Sequence, residues 1–284
     1  MRMTSCAGTG CRPAIILADE PVQPALAMQR WAVRLEYHGG PFVGWQRQTN
    51  GPSVQSVVEA AISRIAGGET VPSIVAGRTD SGVHAEGQVA HFDLPDAVSA
   101  TMSVGRMRDA LNYHMKPNPV VVVQAARVGP KWSARFSAIQ RCYRYRILNR
   151  AASPALASGQ VWHVKPALDA EAMHAAARSL LGLHDFTSFR AASCQAESPM
   201  RTLERLDVTR EGDLITIDVE ARSFLHHQVR NFAGTLKLVG QGRWNTAAVV
   251  EALEARHRRA AGPTAPPEGL CMTNVVYPDD PFAA

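Results

Sequence analysis

Cysteine is scarce in this chain and poorly spaced for structural use. Five occur, Cys6, Cys11, Cys142, Cys194 and Cys271. They are odd in number, scattered and without a CxxC pair, so neither a disulfide framework nor a zinc knuckle is indicated. A reducing compartment, the cytoplasm, fits this usage. No run approaches the roughly 18 apolar residues that a membrane-spanning helix requires. The longest near the start, Ala14 to Ala18, is bounded by Pro13 and Asp19 and is also too short for the apolar region of a signal peptide. The glycine patterns of P-loop and Rossmann nucleotide sites are missing too.

What is present is enough for a large core. The 284 residues are 46% apolar, which suits one large domain or two ordinary ones and excludes a disordered chain. Thirty Lys and Arg against 25 Asp and Glu leave a charge of +5, a balance that favours a polyanionic partner without identifying one. Residues 1–28, with Pro13, Pro21 and Pro24 and no periodicity, read as a flexible extension or an over-extended start. Met28, just before the first strand, is an alternative initiator.

Periodicity then divides the chain. Trp31 to Tyr37 alternates, with Val33, Leu35 and Tyr37 on one face and Arg34 and Glu36 on the other, as in a half-buried strand. Ser53 is placed to cap a helix whose apolar positions are Val54, Val57, Val58, Ala61, Ile62 and Ile65, stopped by Gly67. Strands are expected over Val71 to Ala76 and Gln88 to Leu94, a helix over Ser103 to His114 and a strand over Val120 to Val128, in the order βαββαβ. The second half repeats that order. Its strands are expected over Cys142 to Leu148, Leu203 to Arg210, Leu214 to Ala221 and Cys271 to Tyr277, with helices over Asp169 to Leu181, His226 to Val239 and Thr246 to Arg256. Two split βαβ units predict an α+β fold of two ferredoxin-like halves, residues 29–130 and 131–284, with mainly antiparallel sheets whose open faces form one cleft. Turn chemistry at Gly129 and Pro130 sets the boundary.

Between two of these strands lies GRTDSGVHA, residues 77–85. Its two glycines permit sharp turns and close approach of a ligand. Asp80 beside Ser81 and Gly82 reads, on local context alone, as a turn residue making local hydrogen bonds rather than as a catalytic carboxylate. Tyr143 and Tyr145 alternate on one strand and share a face, which core packing alone would explain. The adjacent His226 and His227 diverge by about 100° if helical, so one metal ion would not take both; His84 and His91 are the other candidate imidazoles.

The ordered set WQRQ (45–48), GRTDSGVHA, ARFSA (134–138), RCYRY (141–145), LHDFTSF (183–189), FLHHQVRN (224–231) and GLCMTNVVYP (269–278) resembles the TruA family of pseudouridine synthases from about Trp31 to Tyr277. The resemblance implies a cofactor-free, metal-free homodimer that converts uridines at positions 38, 39 and 40 of the transfer RNA anticodon stem-loop into pseudouridine. It implies that Asp80 is the catalytic carboxylate, by convention the nucleophile, with Arg230 as its charge partner and Tyr143 against the target uracil. Attack on the sugar, attack on the ring and proton removal from the sugar all remain open for Asp80. Arg78 is placed to fill the stack vacated by a flipped base, or to make a structural ion pair. Arg47 and the cluster Arg256, Arg258 and Arg259 are candidate phosphate contacts, and Arg141, Arg144 and Arg146, interleaved with the tyrosines, suit an RNA with splayed bases.

Two other classes fit parts of the pattern. A non-catalytic RNA-recognition module shares the βαββαβ order, but a central strand with glycine and three aromatics is missing. A metal-dependent phosphoesterase would use Asp80 and the histidines, and sensitivity to a chelator would reveal it.

Overall fold

The computed structural model describes residues 27–283. The extension expected over residues 1–28 lies outside the described residues except for Ala27 and Met28, and Met28 opens the first strand.

The elements run β1 (Met28–Tyr37), α1 (Val54–Ile65), β2 (Ile74–Val75), β3 (His84–Pro95), α2 (Asp96–Ser99), α3 (Val104–Met115) and β4 (Val120–Val128) in the first arm. The second has β5 (Gln140–Leu148), β6 (Trp162–His163), α4 (Ala170–Ala177), β7 (Gly182–Asp185), β8 (Met200–Glu211), β9 (Leu214–Ala221), α5 (Gln228–Gly240), α6 (Thr246–Glu254) and β10 (Leu270–Val276). Local chemistry explains the clearest of them. Ser53 accepts a hydrogen bond from the Ser56 amide at 3.1 Å while the Ser56 hydroxyl caps the Ser53 amide. This is a capping box with serine in the place of the usual Glu or Gln. In α3, Met107, Leu111 and Met115 recur every fourth residue and are fully buried.

All the strands belong to one mostly antiparallel sheet, in the order β4-β1-β3-β10-β5-β9-β8-β7, with β2 added to β3 and β6 to β5. The chain's last strand therefore sits in the middle. β10 pairs parallel with β3 (Cys271 opposite His84) and antiparallel with β5 (Leu270 opposite Tyr145). It also stitches the two apolar cores, because Met272 packs in the first and Leu270 in the second.

The faces of the sheet differ. On β9, Ile215, Ile217, Val219 and Ala221 are buried against Phe232 and Leu236 of α5, and their pairing partners Tyr143, Tyr145 and Ile147 on β5 share that face. The opposite face, where the cleft was expected, carries ion pairs instead: Arg144 with Asp218 at 2.8 Å, Arg205 with Glu220 at 2.9 Å and Arg146 with Glu86 at 2.8 Å. The cleft lies on the helix-bearing side, between the arms, where Tyr143 packs against both cores.

Candidate active site

The loop after β2 is pinned at nearly every residue. The buried Gln88 donates to the Gly77 carbonyl at 2.8 Å and to the Tyr37 hydroxyl at 3.3 Å, and Tyr37 in turn shares a 2.8 Å hydrogen bond with Thr79. The Thr79 carbonyl accepts from the Trp45 amide. Gly44 makes that approach possible: its φ is +106°, and a Cβ there would stand 2.7 Å from the Thr79 oxygen. On the far side the Ser81 hydroxyl and the Gly82 amide both donate to the Phe42 carbonyl, with Gly82 at φ +78°. Asp80 is thus presented by a turn, as its context suggested, and that turn is held rigid from the β1 side.

Three cationic or ionisable groups converge on its carboxylate. Arg230 Nη1 lies 3.2 Å from Oδ2, His227 Nε2 3.5 Å from Oδ2 and His226 Nε2 3.4 Å from Oδ1. The divergence of about 100° anticipated for adjacent helical histidines does not occur. Helix α5 begins only at Gln228, and His227 takes a left-handed conformation with φ +63°, which brings the two rings to 4.0 Å between centroids, both reaching Asp80. Arg230, in the first turn of α5, is fixed by a second bond from its Nε to the Ala265 carbonyl at 2.8 Å.

The electrostatics follow from this packing. Burial pushes the Asp80 carboxyl up, but the pull of His226, His227 and Arg230 outweighs it and leaves the group below its ordinary value. His226 moves up because it bonds Asp80, whereas burial moves His227 down. Tyr143 is driven far above the ordinary phenol range, first by burial and then by Tyr37 and Asp80. It presents a neutral hydroxyl, packed edge-on to Phe224 at 5.2 Å.

Asp80, Arg230, Tyr143, Arg78 and Arg47 all line one cavity of about 1050 Å³. Its charged lining comprises Arg47, Arg78, Arg135, Arg141, Arg222 and Arg230 against a single acid, Asp80. Arg78 is exposed and makes no ion pair among the described residues, so the structural pairing considered for it is not found. Arg47 pairs with Glu59 at 2.7 Å at the mouth. Arg135, Arg222, Phe136, Phe224, Ser193 and Gln195 also line the wall; Arg135 and Phe136 belong to ARFSA and Phe224 to FLHHQVRN, whereas no motif or period marks Arg222, Ser193 or Gln195.

Other expectations are corrected. Arg141 is buried and donates to the carbonyls of Ala76, Arg135, Ala138 and Arg222, a structural role. Arg144 and Arg146 lie on the opposite face of the sheet from Tyr143. Arg258 is spent on Ala261, Gly262, Asn231 and Thr264. His84 accepts from the Gly39 amide and His91 from the Ala134 amide, both away from Asp80. The donor atoms of Asp80, His226 and His227 lie within 4.8 Å of one another, a set a divalent cation could use. Arg230 already occupies Oδ2 and would oppose such an ion with a fixed positive charge.

Comparison with known proteins places the chain in a family. A family model described as tRNA pseudouridine synthase matches residues 35–137 and 176–278. The chain is 64% identical over 256 residues to the tRNA pseudouridine synthase A of Acidiphilium cryptum, covering 90% of this chain and 99% of that one. It is 55% identical over 263 residues to that of Gluconobacter oxydans (93% and 95%) and 57% identical over 250 residues to that of Rhodospirillum centenum (88% and 100%). The matched segments fall in both arms, leave out β5 with Tyr143 and carry the loop of Asp80, β9 and the helix of Arg230, and the chain belongs to the tRNA pseudouridine synthase family.

Proposed function

We propose that this enzyme isomerises uridine to pseudouridine in transfer RNA, at positions 38, 39 and 40 of the anticodon stem-loop, with Asp80 as its catalytic carboxylate. The observation that carries the reading is the cavity wall, in which arginines outnumber acids six to one and the one acid, Asp80, is kept ionised. Such a wall attracts phosphates and leaves one anionic group for chemistry.

The reaction breaks the bond from the sugar C1′ to uracil N1, turns the base and forms a bond from C1′ to C5, while the hydrogen on C5 is lost and N1 gains one. Atoms and oxidation state are unchanged, so the site is read without a metal or redox cofactor. Attack of Asp80 on C1′, attack on C6 and removal of a sugar proton each require the carboxylate in its charged form. Burial works against that form, and Arg230 with the two histidines restores it. Tyr143, neutral and edge-on to Phe224, forms a wall for the flipped uracil. Arg78 stands exposed beside Asp80 to support the stack that the uridine leaves, and Arg47 meets phosphate at the mouth.

The strand orders support reading both arms as ferredoxin-like. With the short β6 and β7 left aside, four strands of each arm, counted along the chain, lie fourth, first, third, second: β4-β1-β3-β2 and β10-β5-β9-β8. The family resemblance supports a cytoplasmic homodimer, and no helix among the described residues is long and apolar enough to cross a membrane.

Asp80→Asn tests the assignment, since it keeps the shape and removes the charge. The variant binds an unmodified transfer RNA transcript within about threefold of wild type while tritium release from C5-labelled uridine falls by at least about 10³-fold. Turnover near wild type would remove Asp80 from the chemistry.

A further inference from the structure

One aromatic ring in the cavity is left out of every core. Phe136, in the turn before β5, is 77% exposed, yet it lines the same cavity as Asp80. Its neighbours at two positions either side, Ala134 and Ala138, are buried, so the turn is anchored and the ring is pushed outward. The turn is also rigid. Ser133 accepts from the Phe136 amide through its hydroxyl and from the Ser137 amide through its carbonyl, and the Ser137 hydroxyl accepts from the Ser133 amide. The Arg135 carbonyl is held by the buried Arg141 at 2.6 Å. The Arg135 guanidinium lies over the Phe136 ring, 5.3 Å from its centroid, and most of the side chain is still open to solvent.

A large apolar ring in water gains nothing for the fold, and a fixed aromatic flanked by cations is what a nucleobase stacks on. The target uracil belongs deeper, against Tyr143 and Phe224. From this we infer that Phe136 is a stacking platform for a second, unpaired nucleobase of the RNA, one that neighbours the target, with Arg135 and Arg222 beside it for the phosphates. The inference rests on the proposed function. It adds a binding residue that discriminates for an RNA with a base free to stack next to the uridine being turned, and it assigns Phe136 no part in bond making.

Affinity and turnover on an unmodified transfer RNA transcript separate the possibilities, using wild type, Phe136→Ala, Phe136→Leu and Phe136→Trp with matched melting curves. Phe136→Ala raises Kd and KM about tenfold, the loss of one base stack, while kcat stays within about twofold. Phe136→Trp restores the affinity and Phe136→Leu does not. Unchanged affinity in Phe136→Ala, or recovery in Phe136→Leu as full as in Phe136→Trp, overturns the stack. A lower sedimentation coefficient for Phe136→Ala also overturns it, giving the ring to a second copy of the chain. If wild type itself neither binds the transcript nor releases tritium, the function is what fails; if wild type works and the three variants behave alike, only the platform does.

Discussion

Arg230 and Asp80, 150 positions apart in the chain, meet with Nη1 3.2 Å from Oδ2 while the same guanidinium holds the Ala265 carbonyl through Nε. The second bond means that Arg230 is aimed before any substrate arrives. Its charge is one of those that keep Asp80 ionised below the ordinary carboxylate value of 3.8. The linkage has a definite sign: a depressed carboxylate stabilises the fold above its unfolded pKa and loses that contribution as pH falls through its folded pKa. Arg230→Gln moves the acid limb of kcat upward in pH and lowers kcat at pH 7 by about ten- to a hundredfold through misplacement of Asp80. Arg230→Lys does not restore it, because an ammonium cannot supply the two-directional fork. A pH–rate profile of wild type and both variants checks this, and superimposable acid limbs would contradict it.

Tyr143→Phe separates the ring from the hydroxyl. Edge-on packing against Phe224 needs only the ring, so transcript affinity stays within about threefold. The neutral hydroxyl forms no hydrogen bond among the described residues and is free to meet the uracil, so kcat falls about tenfold or more, in the range of a lost hydrogen bond or proton-transfer partner. Single-turnover kinetics at saturating enzyme read the two effects apart.

Arg141 ties four carbonyls from three segments: the end of β2, the turn that carries Phe136, and the loop before α5. Arg141→Met leaves those buried carbonyls short of a donor. Stability falls by about 2–4 kcal/mol, which lowers the melting temperature by roughly 3–7 °C. A calorimetric scan measures it. A change under 2 °C would mean that water replaces the guanidinium.

Arg78, Arg135 and Arg222 in the cavity wall make binding sensitive to salt. Transcript affinity declines by at least about tenfold between 50 and 200 mM salt through release of condensed counterions, and Arg78→Ala reduces the slope of log Kd on log salt. Fluorescence anisotropy across that range provides the slope, which a protein without phosphate contacts would leave flat.

The parts of the molecule governed by short-range rules were legible in the sequence. The apolar spacing and Ser53 predict α1 almost to the residue, and the alternation of Val33, Leu35 and Tyr37 marks the buried face of β1. Strand β2 was over-read. Val71 and Ser73 are buried as a strand would bury them, yet the Ser73 amide bonds the Glu59 carboxylate and only Ile74–Val75 joins the sheet. The short β6 and β7 carry too few residues for any period to register. The histidine pair illustrates a different gap. The sequence pattern predicts a helix from His226, whereas one left-handed residue at His227 turns two divergent rings into a clamp on Asp80. Arginines are ambiguous for a third reason: Arg78 and Arg141 look alike in a sequence, and only the carbonyls around Arg141 show that it belongs to the interior.

The central position of β10 also governs when the enzyme comes into being. A ribosome delivers the first arm early, with Asp80 in its loop but with the β3 residues that await Cys271 and Met272 still unpaired. Arg230 follows later, and the strand that joins the arms emerges almost at the end. Domains form as they are synthesised, N-terminal part first, so a nascent fragment can hold Asp80 for seconds without Arg230 and without its cleft. The cleft between the arms is therefore complete only once Met272 and Leu270 have joined the two cores.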